Sequence, residues 1–210
     1  MMITISFETD TALNLLTGTG FEVDLGGLGD RSRSRSDERR RMKFVRPLTL
    51  YQELMKTKPE RADRLIGIVV GLRHVSFAVT DRPGKDADRS NVLAIEKNIS
   101  AMVANRIEEE LPSFMVAGLV FGLPYGRLSS PLILPTMTLI DELRESGKFQ
   151  GLKYSVWDTE DLPEAHDPKC EHTVAAVALQ DYLDMARKCC RNVISGELPE
   201  LIGEMKSSQV

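Results

Sequence analysis

Residues 65–81 read LIGIVVGLRHVSFAVTD. The run Arg64–Val70 is apolar almost throughout and reads as a strand buried on both faces. Gly71 opens a turn, and Val75–Thr80 then alternates as a half-buried strand does. The two form a hairpin. A first strand of this kind often carries one carboxylate near the turn, placed to hold a metal ion or a phosphate. Val69 stands in that place. The stretch therefore poses a choice between a working site, a disabled one and a plain hairpin.

Working outward, the periodicity changes along the chain. Upstream, RPLTLYQELMKTK (residues 46–58) puts Leu50, Leu54 and Met55 at helical spacing. Downstream, DRPGKD is a turn and Asn91–Ile95 a third short strand. Ser100–Glu110 is an amphipathic helix that stops at Pro112. Phe114–Phe121 is another buried strand, closed by GLPYG, and Pro131–Glu145 is a helix ending near Gly147. Leu152–Trp157 is a strand. Thr173–Lys188 has the clearest helical pattern, with Ala175, Leu179, Tyr182 and Ala186 along one face. Three leading strands joined by short turns are expected to be antiparallel. The later strands, each reached through a helix, are expected to run parallel to the first. The fold class is therefore α/β: a mixed sheet with helices on both faces.

The chain has 210 residues, 42% of them hydrophobic and 28% charged, which suits one domain with a core plus tails. No apolar run approaches the length of a membrane span, so no membrane role is expected. The net charge of −4 hides a strong asymmetry. Residues 1–30 carry −5, residues 31–43 carry +5 and the remainder −4. The first 30 residues match neither a transit peptide nor a secretory signal. Cys170, Cys189 and Cys190 lack metal-site spacing and read as reduced thiols of an intracellular protein, with the compartment left open.

Residues 1–41 form an expected tail. TGTGFEVDLGGLGDRSRSRSDERRR (residues 17–41) is Gly-rich, then alternates Arg and Ser without an apolar period, a composition expected to stay disordered. Arg31, Arg33 and Arg35 make it either an arm for RNA or DNA phosphates, tunable by phosphorylation at Ser32, Ser34 or Ser36, or a solvated linker. The domain is expected over residues 42–190, with a second tail over residues 191–210.

Four motifs in order carry a resemblance. GIVVGLRHVSFAVTD (residues 67–81) fits a pattern G-h-D-h-G-x-x-x-h-G-h-A-h-[ST]-D, where h is apolar. AGLVFGLPYG (residues 117–126) is an apolar strand ending G-h-P. YSVWDTED (residues 154–161) fits apolar residues followed by D-E-R, and EHTVAAVALQDYLD (residues 171–184) fits D-x-x-x-A-h-h-h-L-Q-x-Y-h-D. Over roughly residues 42–188 the chain resembles the YqgF (RuvX) family of RNase H-like proteins, its plant-type members in particular. That family is described as Holliday junction resolvases and as nucleases of pre-rRNA 5′-end processing. The resemblance implies an RNase H-like fold, a nucleic-acid partner and a Mg²⁺- or Mn²⁺-dependent site.

The departures from the pattern bear on the chemistry. Cleavage of the RNase H type uses two divalent cations about 4 Å apart, bridged by a carboxylate on the first strand. Magnesium takes hard oxygen ligands, and an alkyl side chain offers none. Val69 replaces that carboxylate, and Ser76 replaces a glycine. Asp158 matches its motif, Thr159 stands where the Glu belongs, and Glu171 keeps the last acid in a longer form. The segment TEDLPEAHDPKC between Asp158 and Glu171 is short by roughly one helix. Loss of the bridge alone is expected to lower turnover at least about a thousandfold.

The resemblance with these departures implies a catalytically impaired pseudonuclease, with Asp158 and Glu171 vestigial and no cofactor expected. A second reading keeps activity through re-sited ligands, Asp158, Glu160 and Glu171, holding Mg²⁺ or Mn²⁺. A third is a protein-interaction subunit that pairs with an intact family member and has no nucleic-acid role. Within 158–171, six acids face one lysine, which also suits a solvated loop at a helix N-terminus. Arg73 and His74, at the hairpin turn, are phosphate contacts or merely its tip. Gly122 and Leu123, ahead of Pro124, either offer backbone N–H groups to a ligand or only stop a strand. His166 and His172 are a weak zinc pair, and Trp157 reads as core.

Overall fold

In a computed structural model the described residues are 41–56, 63–81, 86–95, 98–111, 115–124, 130–159, 162 and 173–195. Their elements are β1 (Lys43–Phe44), α1 (Pro47–Lys56), β2 (Arg64–Val70), β3 (His74–Thr80), β4 (Ala87–Ala94), α2 (Ile99–Glu110), β5 (Val116–Leu123), α3 (Ile133–Glu145), β6 (Lys153–Asp158) and α4 (Val174–Ser195). They form one sheet in the order β1-β6-β5-β2-β3-β4. The β2–β3 and β3–β4 pairs are antiparallel, whereas β2–β5, β5–β6 and β1–β6 are parallel. Three antiparallel strands followed by strands parallel to the first, with the first in the interior, make a mixed RNase H-like sheet.

Alternation along β2 sends successive side chains to opposite layers. Ile66, Ile68 and Val70 join Phe121, Leu123, Tyr154 and Val156 beneath Val103 and Ile107 of α2 and Leu139 and Leu143 of α3. Leu65 and Val69 join Val120 and Trp157 beneath Leu50 and Leu54 of α1 and Ala175, Ala178 and Leu179 of α4. A strand buried on both faces must be apolar at every position, which is why β2 reads as a continuous run. Gly67 lets α4 close onto β2: a Cβ there would lie 3.0 Å from Leu179 Cβ and 3.3 Å from the Ala175 carbonyl oxygen. Tyr182 Oη donates to the Pro47 carbonyl at 2.8 Å and ties α4 to α1.

The elements differ from the sequence expectation mainly at their ends. The third strand starts at Ala87 rather than Asn91, because Ala87–Arg89 pairs with Ala78–Thr80 beyond a register shift between Phe77 and Ala78. A bulge breaks the period-2 pattern and hides the first half of such a strand. The fourth strand is displaced, Val116–Leu123 instead of Phe114–Phe121, and the last helix runs on to Ser195. Strand β1 was not legible. Two residues carry no periodicity, and the strand is placed by its pairing with β6, where Lys43 N–H donates to the Leu152 carbonyl and Val45 N–H to the Tyr154 carbonyl, each at 2.9 Å.

Candidate functional site

The strand directions bring the C-terminal ends of β2, β5 and β6 to one rim of the sheet. Val69 pairs with Gly122 on one side and Ser76 on the other, and Gly122 pairs with Trp157. Thr159 follows β6, and its N–H donates to the Leu123 carbonyl at 3.1 Å. Gly122 is the seat between them. A Cβ at that position would lie 2.7 Å from Val69 Cγ2 and 2.9 Å from Thr159 Cγ2, so both methyl groups reach over one point of β5. Both side chains are closed to solvent, Val69 6% exposed and Thr159 1%. A glycine here gives room for two side chains to converge. Here the space is filled with alkyl groups.

Beside this seat, Ser76 is buried and its Oγ donates to the Val69 carbonyl at 3.4 Å. Trp157 is core, as its apolar surroundings suggested, and its Nε1 donates to Asp181 Oδ2 of α4 at 2.8 Å. Arg73 is exposed in the turn between β2 and β3, and His74 is half-buried where β3 begins. Gly122 and Leu123 are strand residues within the parallel ladder, not a loop offering its N–H groups.

Asp158 has a different place from its neighbour. It is the last residue of β6, opposite Leu123. Tyr154 and Val156 belong to the layer of α2 and α3, so alternation sets Asp158 on that side while Val69 and Thr159 face the α4 side. The structure thus joins the two positions lacking acids and separates Asp158 from them. Glu160, Glu171, Arg31, Arg33 and Arg35 lie outside the described residues, as do His166 and His172.

These residues do not fit the two divalent cations that the resemblance implies. Val69 has no donor atom, and Thr159 offers one hydroxyl where a hard cation needs carboxylates. Among the described residues no three His, Cys, Asp or Glu side chains lie close enough to hold a metal ion. No helix among them is long and apolar enough to cross a membrane. The convergence on Gly122 was missed from sequence. The G-h-P motif marked the glycine, but only the parallel register shows which side chains it accommodates.

No family model and no curated protein sequence matches the chain. Among solved structures it is similar to Thermus thermophilus RuvC, in one structure in complex with Holliday junction substrate. That match has 12% identity and a TM-score of 0.39, and covers 64% of this chain and 97% of the other. A second T. thermophilus RuvC structure gives 15% identity with the same TM-score and coverages. The strand order and directions, rather than these likenesses, carry the fold assignment.

Proposed function

We propose that this chain is a YqgF/RuvX-type member of the RNase H-like proteins that has lost metal-dependent cleavage and acts as a nucleic-acid-associated pseudonuclease. The observation that supports the reading is the pair of methyl groups, from Val69 and Thr159, over Gly122. The resemblance places the first-strand acid and the third-motif acid at these two positions. A working site needs both carboxylates aimed at one point, and here that point is part of the core. Nucleic-acid contact then falls to basic residues away from the seat: Arg73 at the hairpin tip, and the Arg31, Arg33 and Arg35 arm. Structured RNA of the rRNA type and four-way DNA junctions are the substrate classes the resemblance points to, bound without being cut.

The test is a cleavage and binding assay of the full chain on both nucleic acids, with Mg²⁺ and with Mn²⁺. The expected result is salt-sensitive binding with no divalent-dependent product above a buffer control. Cleavage that depends on metal and survives Thr159→Ala would overturn the reading and turn attention to Asp158, Glu160 and Glu171. Absence of binding to either nucleic acid would leave only a protein partner, an intact family member among them.

A further inference from the structure

Strand β1 is the outermost strand on its side of the sheet, and it follows the basic segment directly in sequence. Arg41, Lys43 and Arg46 put three positive charges and no acid within residues 41–46. Phe44 stands among them. It pairs with Tyr154 of β6, so the two rings share one face of the sheet. Phe121 of β5 continues the row: Tyr154 meets it edge-on at 6.1 Å and meets Phe44 at 5.6 Å. Phe121 and Tyr154 are closed to solvent, whereas Phe44 is 52% exposed.

The backbone on both sides of Phe44 is fixed, since Lys43 N–H and Val45 N–H each donate to β6. A flat partner therefore meets a ring already in place, and little ordering has to accompany binding. The character of the partner follows from the neighbours. An apolar protein surface favours further apolar side chains around such a ring, but the other exposed side chains of this stretch are Lys43 and Arg46. An aromatic face set among positive charges suits bases carried on a phosphate backbone, which stack on the ring and are held by the charges.

We propose that β1 is a binding site for single-stranded nucleic acid, in which one base stacks on Phe44 while Lys43 and the arm before it contact the flanking phosphates. The proposal rests on the nucleic-acid reading above and adds to it a contact on the folded domain, away from the Gly122 seat. The backbone of β1 belongs to the sheet, and only its outward side chains belong to this site. It is tested by titrating the full chain with a labelled oligodeoxyadenylate of about 12 nucleotides, against a strand of the same backbone and length without bases. The native chain is expected to bind the strand with bases at least about fivefold more tightly. Phe44→Leu is expected to lose about fivefold or more on it, with the salt slope unchanged because no phosphate contact is removed. Phe44→Trp should keep the affinity, and its added fluorescence should fall on binding as a base covers the indole. The comparison of the two strands uses the native chain, so it holds even if a variant folds poorly. Equal binding of both strands, or oligodeoxyadenylate binding that a folded Phe44→Leu leaves unchanged, overturns the β1 site alone and leaves the nucleic-acid reading standing. No binding of either strand by the native chain overturns both. A native dimer that Phe44→Leu dissociates, read by sedimentation, also overturns the site, because the ring then belongs to a second copy.

Discussion

Val69, Gly122 and Thr159 make a three-residue unit whose energetics follow from its spacing. A methyl added at Gly122 has nowhere to go, because Val69 Cγ2 at 2.7 Å and Thr159 Cγ2 at 2.9 Å already fill the position. Gly122→Ala is expected to cost about 1–3 kcal/mol by overpacking, and Val69→Ala in the same chain should recover part of it. Urea unfolding of the two single variants and the double variant measures this coupling; strict additivity would mean the three do not share one space. Val69→Asp is expected to cost about 3 kcal/mol, since an ionised carboxylate would be buried with no cation beside it. Mn²⁺ should not rescue that single variant, because Asp158 is set on the other pleat. Val69→Asp with Thr159→Glu puts two carboxylates around Gly122, and its melting temperature should rise with Mn²⁺, as a ligand selective for the folded state requires. Equal response of the single and double variants would refute the geometry. In sequence, the replaced acids were visible one at a time. Their shared seat was not, because it depends on β5 lying between two segments some 90 residues apart.

Strand β4 shows what sequence can and cannot convey at the level of an element. It is an edge strand, and edges with free N–H groups template pairing with other chains. Ile95 N–H donates to the Arg73 carbonyl, so in this register Val92 N–H points away from β3. Asn91 Oδ1 accepts from it at 2.8 Å. Beyond the bulge, Ala87 N–H is taken by Gln180 Oε1 of α4 at 2.9 Å. Two outward donors are thus occupied by side chains from the chain itself. Asn91→Val together with Gln180→Leu should therefore raise self-association, read by light scattering at constant protein concentration; an unchanged association state would show that the edge is guarded by other means. Long elements were legible because their periods persist: β2 as an apolar run, α4 as a stripe of Ala175, Leu179, Tyr182 and Ala186. The bulged half of β4 and the two-residue β1 were not, since each is defined by its partner rather than by its own pattern. Asn91 and Gln180 belong to that second kind.

At the scale of the whole molecule, two tests separate the folded domain from what it carries. Burial pushes both the Tyr154 and Tyr182 hydroxyls above the ordinary tyrosine range, further for Tyr182, which is also bonded to Pro47. A folded pKa above the unfolded value means that the contribution is intact below about pH 10 and declines as the pH rises beyond it, by about 1.4 kcal/mol per pH unit for Tyr182. Alkaline unfolding should consequently track tyrosinate absorbance, and Tyr182→Phe should flatten that pH dependence while losing about 1 kcal/mol at neutral pH. The second test concerns where the domain starts. Met42 is buried in the core, and Lys43 and Phe44 pair with β6. Removing residues 1–40 should leave the melting temperature nearly unchanged, whereas removal through residue 46 should lower it by stripping Met42 and β1. The first deletion also takes Arg31, Arg33, Arg35, Arg39 and Arg40 from the basic segment. If these contact phosphates of single-stranded RNA, the slope of log affinity against log salt should fall by about 3.5, at roughly 0.7 per neutralised phosphate. An arm with no part in binding leaves both affinity and slope as they were, and Arg73 then remains as the basic contact named at the rim. Measured on the same two truncations, melting and salt slope thus assign residues 41–46 to the fold and residues 1–40 to recognition, or refute either assignment separately.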